Sequence, residues 1–274
     1  MQPVRLLSER DLPALVALKD AAAWNQTGED WRNLLRLSPA GCFGIDCDAA
    51  LVATATAVCY ADRLAWIGMV LTHPGYRGRG FARRLMQQAL AWIEARGADW
   101  IKLDATDMGR PLYASLGFVD ECPIERWGRP PGAAGRARAL PPASLCSLSA
   151  LDCAAFGADR SVLLEVLAPF GSAGADGAYA MGRPGSRAAY FGPAVAISPD
   201  AARDLVAWYV AGHAGETVYW DILPANAAAV VLAREFGFAP LRRLVRMARP
   251  GRAGAPAFAH DDSKVFAIAG FEYG

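Results

Sequence analysis

The sequence predicts an α/β chain, in the broader α+β sense, built from two tandem domains. Three observations carry that prediction. Strand-like and helix-like runs alternate along both halves. The second half repeats the order of the first. Between them lies "GRPPGAAGRARALPP" (128–142), rich in Gly, Pro, Ala and Arg and without hydrophobic period, which reads as a linker. The division is residues 1–127, a linker over 128–143, and residues 144–274.

The elements follow in order. "VRLL" (4–7) reads as a first strand. Ser8 is placed to cap a helix running to about Trp24, and Thr27 to start a second, "TGEDWRNLLRL". Three strand-like runs come next, at 42–48, 50–60 and 64–72. A helix covers about 80–96, a strand 99–105, and a short helix 109–116. "GFVDECPIERW" (117–127) is the last strand of this half, with Pro123 pointing to a bulge or an edge.

The second half rhymes with this series. "VYWDILPANAAAVVLAREFGF" (218–238) parallels "IKLDATDMGRPLYASLGF" (101–118), each with Asp near a strand end, a short helix, then Gly-Phe. "VAISP" (195–199) parallels "VLTHP" (70–74). Pro74 and Asp104 are 30 residues apart but Pro199 and Asp221 only 22, so the second copy is 8 residues shorter. What it lacks is the Gly/Arg segment; Ser198 caps its helix almost directly after the strand. The closing "KVFAIAGFEYG" (264–274) is apolar and strand-like, and is expected to complete the second domain's sheet.

Composition narrows the function classes. With 54% hydrophobic residues the chain can build real cores, and a net charge of +1 gives no global field for nucleic acid. The cysteines at 42, 47, 59, 122, 146 and 153 form no CxxC pair and the histidines at 73, 213 and 260 are scattered, so no metal ligand set or disulfide framework emerges. The first residues lack a signal pattern and no apolar run approaches the ~20 residues of a membrane helix. The expectation is a cytoplasmic protein with neither membrane nor nucleic acid as partner.

The chemistry concentrates in "PGYRGRGFARR" (74–84), three glycines and four arginines between a strand and a helix. A helix N-terminus offers unsatisfied N–H groups and partial positive charge. A tight loop ahead of it aims those groups at an anion, and glycine removes bulk at the contact. Gly78, Gly80 and Ala82 suit that role, with Arg77, Arg79, Arg83 or Arg84 adding charge at the rim. The segment is neither a Walker loop nor a GxGxxG fingerprint. The bland alternative is an ordinary turn with solvated arginines.

Context argues against that alternative. Arg77-x-x-Gly80-x-Ala82 after "MVLTHP", followed by "LYASLGF" (112–118), resembles the Q/R-x-x-G-x-G/A signature and Tyr-x-x-x-Gly-Phe of the GCN5-related N-acetyltransferase (GNAT) superfamily. The resemblance covers 1–127 strongly and about 144–250 weakly, as a tandem GNAT with a degenerate second domain. It implies, for each domain, a mixed, mostly antiparallel central sheet flanked by helices. It implies acetyl-CoA as cosubstrate, with pyrophosphate on residues 77–83, Phe81 included, and pantetheine along the splayed strand edge at Val70, Leu71 and Thr72. It further implies direct attack by a primary amine in a ternary complex, with no metal. Tyr113 takes the family position of the general acid that protonates the leaving thiolate. Asp104 is the candidate base or amine ligand, with Glu29 and Asp30 behind it; the alternatives are that Asp104 orients a loop by bonding backbone N–H groups and that ordered water carries the proton.

"WNQTGEDW" (24–31) lies between the first two helices, which in this fold border the acceptor. A Thr27/Asp30 capping box explains part of it. Trp24, Asn25 and Gln26 remain as candidate substrate-binding residues, and a Trp face suits a cation. The acceptor is a small-molecule or peptide amine. The second domain lacks the phosphate segment and has Ala233 where Tyr113 stands, so it is expected to cover the cleft, stabilise the first or mediate association, including into a homodimer. The rival reading is a non-catalytic acyl-CoA-binding or regulatory module of the same fold.

Overall fold

The computed structural model describes residues 2–274 except 134 and 136, with no side-chain description at 145–147, which places Cys146 outside the described residues. The first half comprises β1 (Val4–Leu6), α1 (Leu12–Ala21), α2 (Gly28–Leu37), β2 (Cys42–Cys47), β3 (Ala50–Tyr60), β4 (Leu64–Thr72), α3 (Phe81–Glu94), β5 (Trp100–Ala105), α4 (Arg110–Ala114) and β6 (Val119–Arg129). The second comprises α5 (Leu145–Phe156), α6 (Ser161–Leu167), β7 (Ser172–Ala175), β8 (Ala178–Arg183), β9 (Ala189–Ala196), α7 (Pro199–Gly212), β10 (Val218–Ile222), α8 (Ala227–Glu235), β11 (Ala239–Pro250) and β12 (Val265–Ala267).

Local chemistry sets several boundaries. Thr27 and Asp30 close the reciprocal capping box at the start of α2, each serving the other's backbone N–H. Ser198 caps α7 by accepting from the Ala201 N–H at 3.3 Å. Ser8 instead heads a short 3-10 turn over Glu9–Asp11, and α1 stops at Ala21, three residues before Trp24. β6 runs to Arg129, so the linker starts at Pro130.

The strands form one continuous sheet in the order β1-β2-β3-β4-β5-β11-β6-β10-β9-β8-β7, with β12 added to β9. Among the described residues only β4–β5 and β9–β10 pair in parallel; the other pairings are antiparallel. The sheet is therefore mixed and mostly antiparallel, as expected. The order at its centre was not expected. β11 of the second half lies against β5 of the first, and β6 of the first lies against β10 of the second. The two exchanged strands pair with each other, Leu244 opposite Ile124. Pro123 thus sits in an interior strand, beside a register shift between Cys122 and Asp120.

Two cores flank opposite ends of the sheet, one per half. One packs α3 (Phe81, Leu85, Met86, Ile93) on the first half's strands, and the other packs α7 and α8 on the second's. A third core belongs to both halves. It joins Leu15, Trp31 and Leu34 to Phe156, Leu163, Tyr179 and Tyr273. Each such side chain contributes roughly 1.5–3 kcal/mol by its burial, so the halves are held by a hydrophobic interior and not only by the linker.

The closing segment adds to the second half's sheet as expected, through β12 on β9, but only briefly. β12 is three residues long, and Gly270, at φ +131°, turns the chain out of strand geometry. Residues 271–274 then run beneath the first half. Trp66 donates to the Phe271 carbonyl at 3.0 Å and Tyr60 to the Tyr273 carbonyl at 2.7 Å.

Candidate functional site

The strands that frame the site separate because their pairing stops. β4 and β5 are bonded only from Leu64–Trp100 to Trp66–Lys102. Beyond that point the β4 edge facing β5 is open. A β-bulge follows at once: Met69 adopts φ +49° and its carbonyl accepts from the Thr54 hydroxyl at 2.8 Å. The bulge re-aims Val70, Leu71 and Thr72.

These three residues line a cleft of about 800 Å³ that continues onto the Gly/Arg loop. Gly78 and Gly80 sit at φ +76° and +78°, and no atom lies within 4 Å of where a Cβ would stand. Their glycine identity answers to backbone conformation and open approach, not to packing. Gly80 is the N-cap of α3, so the N–H groups of Phe81, Ala82 and Arg83 have no acceptor inside the helix. Arg77, Gly78, Gly80, Phe81, Ala82 and Arg83 all line the cleft. Arg79 does not; its guanidinium lies 4.8 Å from the ring centre of Tyr76. Arg84 bonds the Gln2 carbonyl and also stays outside. The open edge, the two left-handed glycines and the free N–H groups fit a phosphate-bearing, extended cofactor.

A smaller cavity of about 90 Å³ adjoins the cleft. Trp24, Val70, Thr106, Tyr113 and Arg242 line both spaces, so these residues mark their junction. Tyr113 is 8% exposed and packs edge-on against Phe118 at 6.3 Å. Burial pushes its phenol pKa well above the usual range, which keeps the hydroxyl protonated.

Asp104 lines the cavity at the end of β5. Its side chain is wholly buried, and both oxygens accept from Arg246 of β11, at 2.9 and 3.2 Å. Burial raises its pKa and Arg246 opposes that rise. Asp221, its counterpart in the second half, is held the same way by Arg126 of β6, at 2.8 and 2.7 Å. The duplicated aspartates thus clamp the two exchanged strands.

The three substrate candidates line the cavity, and two are tied to the second half. The Asn25 side-chain amide donates to the Ala188 carbonyl and accepts from the N–H groups of Arg187 and Ala188, each at 3.0 Å. Gln26 donates to Glu272 Oε2 at 2.7 Å. Trp24 makes the aromatic wall at the junction. Asp30 is buried against Arg183, at 2.9 Å, while Glu29 pairs with Arg32 near the surface and lines neither space.

Sequence reasoning missed Arg126, Arg242, Phe271 and Glu272, which close the cavity from the second half and the exchanged strands. One signal was available: Glu272 is the lone acid in the apolar run "VFAIAGFEYG".

The second half has no comparable cleft among the described residues. β9 and β10 also part early, after Phe191–Trp220. There the gap is filled by the chain itself. β12 pairs with β9, Trp220 donates to the Phe266 carbonyl at 2.7 Å, and the Ile268 N–H donates to the Asp221 carbonyl at 3.2 Å. No group of three or more His, Cys, Asp or Glu among the described residues could hold a metal, and no described helix is long and apolar enough to cross a membrane.

Comparison with known proteins agrees with this geometry. The Acetyltransferase (GNAT) family model matches residues 6–118, and a second Acetyltransferase (GNAT) domain model matches residues 148–267. An uncharacterized N-acetyltransferase of Bacillus subtilis (strain 168), YitH, is 27% identical over 234 residues, spanning 76% of this chain and 78% of its own. A Pyrococcus horikoshii protein named as a candidate acetyltransferase superposes with a TM-score of 0.87 at 22% identity, covering 100% of this chain and 96% of that one. A tandem GNAT protein from the clavulanic acid biosynthesis pathway superposes with a TM-score of 0.65 at 16% identity, over 94% of this chain and 100% of its own. With both halves matched, the chain belongs to the GNAT superfamily as a tandem member and is an acetyltransferase enzyme.

Proposed function

We propose that the chain is an acetyl-CoA-dependent N-acetyltransferase that acylates a primary amine by direct attack, at one site per chain. The observation that carries this reading is the junction. Tyr113 and the bulged β4 edge stand where the 800 Å³ cleft meets the 90 Å³ cavity. Acetyl-CoA brings the activated acyl group and a thiolate leaving group. The α3 N-terminus and its glycine loop hold the pyrophosphate through free N–H groups and the helix dipole. The open edge at Val70–Thr72 takes the pantetheine arm and supplies an N–H to polarise the thioester carbonyl.

Tyr113 then donates its proton to the leaving sulfur, a role that burial favours by keeping the phenol neutral. An alkyl ammonium has a pKa of about 10, so the attacking amine must also lose a proton. Two carboxylates face the cavity. Asp104 is chelated by Arg246, which makes it a positioning residue in this reading. Glu272, which lines the cavity beside Gly68 and whose pKa burial raises while Arg183 opposes the rise, receives the proton in this reading.

The test is Tyr113→Phe, with CoA release followed over an amine panel. The expected result is a fall in kcat of about 10²–10⁴-fold, with acetyl-CoA affinity and thermal stability kept. The stability expectation follows from the hydroxyl, which makes no hydrogen bond to another described residue. Turnover unchanged in Tyr113→Phe would contradict the assignment.

A further inference from the structure

The charges on the cavity wall restrict which amine can enter. Four acidic or basic side chains line it, besides the neutral phenol of Tyr113: Asp104, Arg126, Arg242 and Glu272. Asp104 is neutralised by Arg246, and Arg126 by Asp221. Glu272 is different. Arg183 serves it at 2.5 Å and serves Asp30 at 2.9 Å, one cation between two carboxylates. Both Glu272 oxygens accept hydrogen bonds, the first from Arg183 and the second from Gln26. This corner therefore sets two carboxyl groups, Asp30 and Glu272, against one guanidinium, which suits a cationic ligand.

Arg242 is the reverse. Among the described residues no carboxylate lies within ion-pair distance of it, and it makes no hydrogen bond to them. Across the strand pair it faces Arg126, a like charge, and its guanidinium lies 5.6 Å from the ring centre of Phe271. Desolvation, and then the charge of Arg126, pull its pKa down, so an anion placed beside it relieves a real cost. Arg242 stands at the junction of cavity and cleft, in the company of Tyr113.

We propose that the acceptor is a zwitterion: a primary amine that also bears a carboxylate, an amino acid in the simplest case, with its ammonium toward Glu272 and its carboxylate on the Arg242 guanidinium. The inference rests on the acetyltransferase reading above. Arg binds a carboxylate through parallel N–H bonds, a geometry that a lysine would not reproduce. A diamine would set a second cation against Arg242. The rival anion is a cofactor phosphate. However, the proposed pyrophosphate seat, Arg77, Gly78, Gly80, Phe81, Ala82 and Arg83, lines the cleft and not the cavity. Since Arg242 borders both spaces, the experiment includes the acetyl-CoA affinity of its variants.

The experiment measures kcat/KM on the full chain at saturating acetyl-CoA. The panel is the set of protein amino acids, each beside the amine it becomes without its carboxyl group, such as lysine with pentane-1,5-diamine and tyrosine with tyramine. Wild type is expected to favour the carboxylate-bearing member of its best pair by about 10- to 100-fold, the span of a charge-assisted bond. Arg242→Gln should remove that preference by lowering only the carboxylate-bearing member, with acetyl-CoA affinity unchanged. Arg242→Glu should invert it. A wild type that prefers the decarboxylated amines, or acetylates neither class, overturns the proposal. So does an Arg242→Gln variant that loses acetyl-CoA affinity while keeping the preference, since Arg242 then serves the cofactor. Wild type that fails to bind acetyl-CoA strikes the acetyltransferase reading itself, so the two failures are told apart.

Discussion

Gly68 shows how a single atom can matter at this site. It lies on β4 just before the bulge and lines the smaller cavity, the proposed acceptor site. A Cβ there would stand 2.8 Å from the Glu272 Cα and 2.9 Å from its carbonyl oxygen, both backbone atoms that cannot swing aside. Gly68→Ala must therefore push the closing segment away from β4. The expected effect is a loss of roughly 1–3 kcal/mol in stability and a raised acceptor KM, with acetyl-CoA affinity retained because the cleft is untouched. Thermal unfolding and calorimetry check it; unchanged stability and unchanged KM would show that the segment does not shape the cavity. Residues whose partners are close in sequence were legible beforehand. The Thr27/Asp30 box spans three positions and reads directly from the string. Asn25 and Gln26 were singled out and do line the cavity, but their bonding partners were not legible, because these lie 163 and 246 positions away. Nothing local distinguishes an amide that binds substrate from one that fastens a distant loop.

Strands and helices of the first half were legible almost throughout, since each is set by its own periodicity and caps, whereas α5, α6, β7, β8 and β11 of the second half were not read. The pairing of the strands was not legible. "GFVDECPIERW" has the pattern of a strand whichever neighbour it takes, and β6 and β11 have similar roles in two copies of one fold. Duplication makes the exchange sterically free: each strand finds in the other half the neighbour it would have had at home. The paired clamps, Asp104 with Arg246 and Asp221 with Arg126, then hold both strands in place. A buried ion pair of this kind is weak evidence for stability but costly to break on one side. The exchange predicts that cutting the linker does not separate the halves. With a protease site inserted between Pro131 and Pro141 and cleaved, the two fragments should co-elute as one complex and keep acetyl-CoA binding, whereas residues 1–131 alone should fail to fold. Independent folding of that fragment would contradict the exchange.

At the scale of the molecule the two halves divide the labour. Both inherit a pair of parallel strands that part after a few residues. In the first the gap stays open and is continued by the glycine loop. In the second the span from the loop's proline to the strand-end aspartate is 8 residues shorter, and the gap is filled by β12 and the residues after it. The chain then crosses over, so that Phe271 and Glu272 complete the wall of the smaller cavity beside the first half's cleft. The missing phosphate loop was visible in the sequence as a length difference. The plugging segment was not, because "KVFAIAG" reads as any sheet-completing strand. The central claim is that one chain holds one acetyl-CoA, on the loop that Gly78 and Gly80 shape. Isothermal titration of the wild type and of Gly80→Glu tests it most directly. Binding at one acetyl-CoA per chain, lost in a variant that circular dichroism shows to be folded, is the predicted result. Two equivalents per chain, or affinity unchanged in the folded variant, would contradict it.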